Sequence, residues 1–292
     1  MEAVERTDGI KFVFARKFKE VDEYPLSDSL PFLVCLVAAY LLFVKKIGPD
    51  FMKNREPYKL KNTILVYNAI QVVLSAVFVY LSFIALLKGG LFPKQCCEED
   101  PEIRKTMLKA MFIYFLGKIS ELLDTIFFVL RKKYNQVSFL HVYHHASVVI
   151  GTWMMFKYSV NQTAVYAGFI NSFIHVIMYF YYFVAALGPQ YQKYLTWKRH
   201  ITSLQLIQFV SIHLHQLASI FFGRECTHSL VGILYVLPST ILFFYLFYQF
   251  YKKSYNKPAA SQKESNGTAQ EDTKISKTKD NTVANGLKAK TN

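Results

Sequence analysis

Seven long apolar runs leave this chain little choice of environment. Leu30–Val44, Thr63–Leu87, Met107–Leu130, Val137–Phe156, Thr163–Leu187, Ile201–Phe222 and Ser229–Tyr251 are each dominated by hydrophobic residues. A bilayer core of about 30 Å needs roughly 20 helical residues at about 1.5 Å each, so all but the first run are long enough to cross. The first borrows Pro31, Lys45 and Lys46 at its ends, the lysines snorkelling to the interface. The runs lack the ten-residue alternation of a barrel strand. Composition agrees: 52% of the 292 residues are apolar and 16% aromatic, against about 45–50% apolar in a soluble domain. The expectation is an all-α membrane protein with seven transmembrane helices.

The charged residues give the organisation. Residues 1–28 carry both signs of charge and no apolar core, so no cleavable signal is expected and the first helix serves as anchor. Residues 29–256 form the membrane domain. Residues 257–292 are rich in Lys, Ser, Thr, Asn and Gln, and read as a disordered tail. The net charge of +14 is spread over loops and tail; it signals topology, and no nucleic-acid module is present. Lys45, Lys46, Lys53, Arg55, Lys59 and Lys61 follow the first run, Arg131, Lys132 and Lys133 the third, Lys193, Lys198 and Arg199 the fifth, and Lys252, Lys253 and Lys257 the last. Of the loops between, those after the fourth and sixth runs carry only Lys157 and Arg224, and the one after the second has four cations among four acids. Positive-inside bias therefore places the N-terminus in the lumen and the C-terminus in the cytosol. The tail ends with Lys290 third and Lys288 fifth from the end, which resembles a dilysine retrieval signal of the endoplasmic reticulum. On this topology Cys226 faces Cys97 or Cys96 in an oxidising lumen, so a Cys97–Cys226 (or Cys96–Cys226) disulfide is expected, with Cys35 left a thiol.

Ionisable residues inside the spans point to a site, because they are costly there. The third run places Lys118, Glu121 and Asp124 three apart along one stripe. The fourth opens His141-Val-Tyr-His144-His145, whose histidines share one helical face. The fifth carries Asn171, His175, Met178 and Tyr182, and the sixth Thr202, Gln205 and Gln208. At about 1.5 Å per residue, Asp124 and His144 lie about 10 Å from the cytosolic helix ends, and His175 about 18 Å. Four helices aim polar groups at one zone.

Two chemistries use a His-x-x-His-His pattern in a membrane. A di-iron desaturase or hydroxylase presents about eight histidines in three boxes, and imidazole suits iron. This chain has 8 histidines in all and no second or third box. A seven-helix receptor or transporter would share the topology without needing the histidine face. The complete pattern instead resembles the elongases of very-long-chain fatty acids: Lys118-x-x-Glu121-Leu-Leu-Asp124-Thr125, Leu130-Arg131-Lys132-Lys133, His141-Val-Tyr-His144-His145, Asn171-Ser-Phe-Ile-His175-Val-Ile-Met178-Tyr179 and Thr202-x-x-Gln205-x-x-Gln208-Phe209 occur in order, within a resemblance spanning roughly residues 27 to 256.

The resemblance implies that helices two to seven enclose an acyl tunnel and that acyl-CoA and malonyl-CoA condense to 3-ketoacyl-CoA, carbon dioxide and CoA. The four cysteines lie outside the polar zone, so a histidine takes the part of nucleophile. Helical spacing does not rank the three; the resemblance favours His144, with His141 and His145 beside it and Asp124 holding an imidazole N–H. His175 and Asn171 are expected to bind and polarise malonyl-CoA, where an enolate develops. Gln205 and Gln208 would hold the thioester or pantetheine, and Arg131, Lys132 and Lys133 the CoA phosphates at the cytosolic mouth. Lys118 and Glu121 belong to the substrate-binding stripe, and Tyr179 and Tyr182 line the tunnel. No metal or cofactor is expected. The expected partners are acyl-CoA, malonyl-CoA, the bilayer and the other enzymes of the elongation cycle, with a homodimer left open.

Overall fold

The computed structural model describes residues 19–27, 29–92, 100–222 and 232–255. Among them there are helices and turns and no strand. The helices are α1 (Leu30–Met52, passing through a π-helical turn at Phe43–Ile47), α2 (Lys61–Gly89), α3 (Pro101–Ser120), α4 (Leu122–Leu130), α5 (Phe139–Tyr158), α6 (Gln162–Leu187), α7 (Lys198–Phe222) and α8 (Leu237–Tyr255). Cys97 and Cys226 lie outside the described residues; Cys35 is a free, exposed thiol on α1.

The helix boundaries are written locally. Ser29, Asp100, Ser138 and Asn161 each precede a helix and accept from backbone N–H groups of its first turn, which satisfies donors that would otherwise be orphaned. Pro31 and Pro101 occupy the first turns of α1 and α3, where a missing N–H costs nothing. Gly90, at φ 87°, ends α2 and Gly188, at φ 139°, ends α6; an L side chain would be strained at either.

Five helices are long and apolar enough to cross a membrane: α1, α2, α6, α7 and the stretch Leu234–Tyr255. The third and fourth apolar runs are helical too, but they are the ones diluted by ionisable residues. The third is also not one helix. It breaks at Glu121, where Asp124 N bonds the Glu121 carbonyl at 3.2 Å in a tightened turn, and the Ser120 hydroxyl takes the Gly117 carbonyl at 2.7 Å. Side-chain competition for a helix carbonyl bends helices in this way.

On α2 the buried face carries Asn68, Gln71, Ser75 and Ser82 among Tyr67, Phe78, Ala85 and Leu86, while Val66, Ile70, Val73, Tyr80 and Leu87 face outward. An exposed apolar exterior around polar interior groups is unfavourable in water and suits lipid. This is a multi-span membrane protein.

Cross-helix contacts fix direction. Tyr114, Glu121 and Asp124 meet Asn171, His175 and Tyr179 respectively, so α3–α4 and α6 run parallel. Met178, Asn171 and Thr163 meet Gln205, Gln208 and Ser219, so α7 runs antiparallel to α6. Phe78 stacks on Tyr114 and Tyr67 bonds the Ser120 carbonyl, which sets α2 antiparallel to α3. A buried apolar cluster including Phe78, Met107, Met111, Phe156, Val165 and Ile212 fills one end of these helices. A second cluster packs α1 through Leu33, Tyr40 and Val44 against Phe115, Leu122, Val142 and Trp153. The polar residues occupy the other end of α3, α6 and α7. The chain falls into two units, Met1–Phe247 and Tyr248–Asn292, and everything below concerns the first.

Candidate active site

The break after α3 is where the charged residues gather. Lys118, in the last turn of α3, places Nζ 2.8 and 3.1 Å from the two carboxylate oxygens of Glu121. His175, midway along α6, brings Nδ1 to 3.0 Å from Glu121 Oε1 and 3.3 Å from Lys118 Nζ. All three side chains are buried, at 3%, 4% and 6% exposure. An ammonium and a carboxylate at this depth are tolerable only as a pair. The carboxylate only accepts, so Glu121 takes the Nδ1–H of His175, which directs Nε2 away from the pair. Lys118 also lies 5.0 Å over the Tyr114 ring, a cation–π contact.

Along α6 the polar row continues in both directions. One turn before His175, Asn171 accepts from the Tyr114 hydroxyl at 3.0 Å and donates to Gln208 on α7 at 3.4 Å. One turn after it, the Tyr179 hydroxyl donates to Asp124 Oδ2 at 2.7 Å. Gln205 donates to Met178 Sδ at 3.5 Å.

The histidine face of α5 approaches from the side of α4 and α1. His141 and His145 rings are 4.3 Å apart, and His144 and His145 5.5 Å. Thr125 bonds His141 Nε2 at 2.9 Å. His144 is walled by Phe243 and Phe247 and lies within electrostatic reach of Lys118, His175 and Glu121. The two halves of the site are therefore one neighbourhood, built from α3–α4, α5, α6 and α7.

Of the residues expected in the site, the structure brings together Lys118, Glu121, His175, Asn171, Gln208, Asp124 and Tyr179, and the trio His141, His144 and His145. One expected partner differs. Asp124 bonds the Tyr179 hydroxyl, and the carboxylate that meets an imidazole is Glu121. Tyr182 is 42% exposed on the outer side of α6, its ring 6.1 Å from that of Tyr179. Arg131, Lys132 and Lys133 sit at the end of α4; Lys132 donates to the Lys53 carbonyl at 3.3 Å, which ties this corner to the segment after α1. Four residues absent from the sequence reading support the site: Tyr114, Tyr67, Gln71 and Tyr40. Gln71 donates to Ser120 at 2.7 Å and so braces the break; the spacing of Asn68, Gln71 and Ser75 on one face of an otherwise apolar helix was the signal for it.

Among the described residues no group of three or more His, Cys, Asp or Glu is arranged to hold a metal ion. The grouping holds one paired carboxylate, one ammonium and four imidazoles, with Phe243 and Phe247 beside His144.

Residues 25–263 match the model of the ELO: GNS1/SUR4 family. The chain is 37% identical over 249 residues to very long chain fatty acid elongase 7 of Drosophila melanogaster, covering 83% of this chain and 74% of that one. It is 38% identical over 237 residues to elongase 7 of Rattus norvegicus, with 80% and 83% covered. With human very long chain fatty acid elongase 1 the identity is 36% over 244 residues, with 81% and 86% covered.

Proposed function

The chain belongs to the GNS1/SUR4 (ELO) family, and from that premise we propose that it is a fatty acid elongase acting as a 3-oxoacyl-CoA synthase. It condenses a long-chain or very-long-chain acyl-CoA with malonyl-CoA, giving 3-ketoacyl-CoA, carbon dioxide and CoA. The observation that carries the reading is the buried Lys118–Glu121–His175 group beside the His141/His144/His145 face.

The reaction proceeds in two stages. A nitrogen of His144 attacks the acyl thioester; the N–C bond forms, the C–S bond breaks, and the imidazole proton leaves with CoA as the thiol. Malonyl-CoA then loses carbon dioxide, its enolate carbon attacks the acyl-imidazole, the N–C bond breaks, and the departing ring nitrogen takes up a proton from solvent, returning the histidine. The negative charge that develops on the malonyl thioester oxygen needs donors. His175 supplies one, with Glu121 stabilising positive charge on its ring, and the Asn171 amide a second. Dividing one difficult step into two easier ones lowers each barrier. Gln205 and Gln208 hold the thioester arm, and Arg131, Lys132 and Lys133 the CoA phosphates. Tyr179 lines the inner wall. No metal or cofactor takes part.

Seven spans, with helices two to seven around an acyl tunnel, an N-terminus in the lumen and a C-terminus in the cytosol of the endoplasmic reticulum complete the proposal. The cation-rich corner at Arg131–Lys133 supports that orientation. The other elongation enzymes and a second copy are its proposed partners.

Single-turnover mixing with acyl-CoA alone tests the mechanism. Free CoA appears before any malonyl-CoA is added; His144→Ala loses that release. His175→Ala retains part of it and loses carbon dioxide production. Absence of CoA release from the unaltered protein would sink the covalent route.

A further inference from the structure

A second chain of hydrogen bonds reaches the histidine face from the first helix, outside the group that carries the charge. The Tyr40 hydroxyl on α1 lies 2.8 Å from Thr125 Oγ1 on α4, and Thr125 Oγ1 lies 2.9 Å from His141 Nε2 on α5. Tyr40 and Thr125 are buried, at 4% and 0% exposure. Among the described residues these side-chain atoms have no other hydrogen-bond partner.

Counting protons gives the chain a direction. Its two contacts join three atoms, and each contact uses one proton. The hydroxyls of Tyr40 and Thr125 supply both. A further proton on His141 Nε2 would leave an O–H or N–H buried with nothing to accept it, which native interiors avoid. The arrangement that satisfies every group has Tyr40 donating to Thr125 and Thr125 donating to a bare Nε2. We propose that Tyr40 and Thr125 are positioning residues that hold His141 as its Nδ1–H tautomer, which makes it a hydrogen-bond donor in the site.

The consequence separates the three histidines, which helical spacing leaves equivalent. His141 has its Nε2 lone pair engaged and its Nδ1 protonated, so neither nitrogen is available to attack a thioester. Its N–H is available to an acyl oxygen or to a neighbouring ring, and His145 lies at 4.3 Å between centroids. The Phe128 ring packs beside the imidazole, its centroid 5.2 Å away. The His144 ring, by contrast, contacts the rings of His145, Phe243 and Phe247 and makes no hydrogen bond among the described residues, so its lone pair remains uncommitted. The first helix, which packs outside the helices that meet at His175, thus sets a proton position inside the site.

This inference rests on the histidine face being the reaction site, and the test separates the two. Thr125→Val keeps the shape and loses the hydroxyl, whereas Thr125→Ser keeps the hydroxyl and loses a methyl. With a positioning role, Thr125→Val lowers kcat by about tenfold or more with KM little changed, and Thr125→Ser restores most of it. A purely packing role gives the reverse order. Tyr40→Phe has the milder effect, because Thr125 still donates to Nε2. Nitrogen-15 spectra of the histidine-labelled protein, assigned with His141→Ala, show a protonated Nδ1 and a bare Nε2 at His141. Observation of Nε2–H there overturns the proposal whether or not the Thr125 variants fold. Full condensation activity in both His141→Ala and His144→Ala would instead overturn the reading of the site itself.

Discussion

Glu121 and His175 stand 54 positions apart and meet at 3.0 Å, and that contact joins α6 to the turn that ends α3. Glu121 serves two partners at once, so its removal strands a buried ammonium as well as an imidazole. Glu121→Gln leaves Lys118 without its counter-charge, a change that costs about 3–5 kcal/mol in comparable buried pairs. The double variant Lys118→Met/Glu121→Leu is expected to melt closer to the unaltered protein than Glu121→Gln does, while remaining inactive. Thermal unfolding in detergent and a condensation assay on the same samples check both halves.

The Asp124–Tyr179 bond answers to a different pair of variants. Asp124→Asn keeps an oxygen for the Tyr179 hydroxyl, whereas Tyr179→Phe removes the donor from a buried carboxylate. Tyr179→Phe should therefore destabilise by about 1–3 kcal/mol and Asp124→Asn by less. Equal melting points for all three proteins would contradict the bond.

Two glycines give opposite outcomes. A Cβ at Gly168 would lie 2.7 Å from Phe78 Cζ and 3.4 Å from Tyr114 Cε1, and the Tyr114 hydroxyl is what orients Asn171. Gly168→Ala is expected to lose about 1–3 kcal/mol of stability, as overpacking does, and to lower turnover through Asn171. At Gly117 nothing lies within 4 Å of an added Cβ. Gly117→Ala should keep stability or raise it by up to about 1 kcal/mol, the helix preference of alanine over glycine. Melting curves of the two variants, measured side by side, decide this.

Chelators distinguish the elongase from a di-iron oxidase. Prolonged treatment with an iron chelator is expected to leave condensation unchanged, and purified active protein to carry no stoichiometric iron. Metal analysis finding iron in proportion to activity would reverse the assignment.

Periodicity in the sequence was enough to bring His141 next to His145, because residues four apart on a helix must adjoin. It was enough, too, to aim Asp124, His144, His175 and Gln208 at one zone. It did not reveal which carboxylate meets which imidazole. Residues three apart drift around a helix by about 60° per step, and the break at Glu121 turns α4 further, so Glu121 faces His175 while Asp124 faces Tyr179. That outcome depends on how two helices pack, which no single-helix pattern encodes. Tyr40 and Tyr114 were hidden for another reason: a tyrosine in an apolar run reads as an ordinary membrane aromatic until a partner for its hydroxyl is seen.

The spacing of Lys118 and Glu121 also bears on how the chain is made. A nascent helix leaves the translocation channel before its later neighbours exist, so a charge whose partner sits on a distant helix must enter lipid alone. Here the two opposite charges occupy adjacent positions on the same face and neutralise one another within a single segment. His175 arrives later, on α6, and needs only to dock on a pair already formed. The Lys118–Glu121 pair can thus enter the bilayer as a neutral unit, whereas Asp124 on the same segment waits for the Tyr179 hydroxyl on α6.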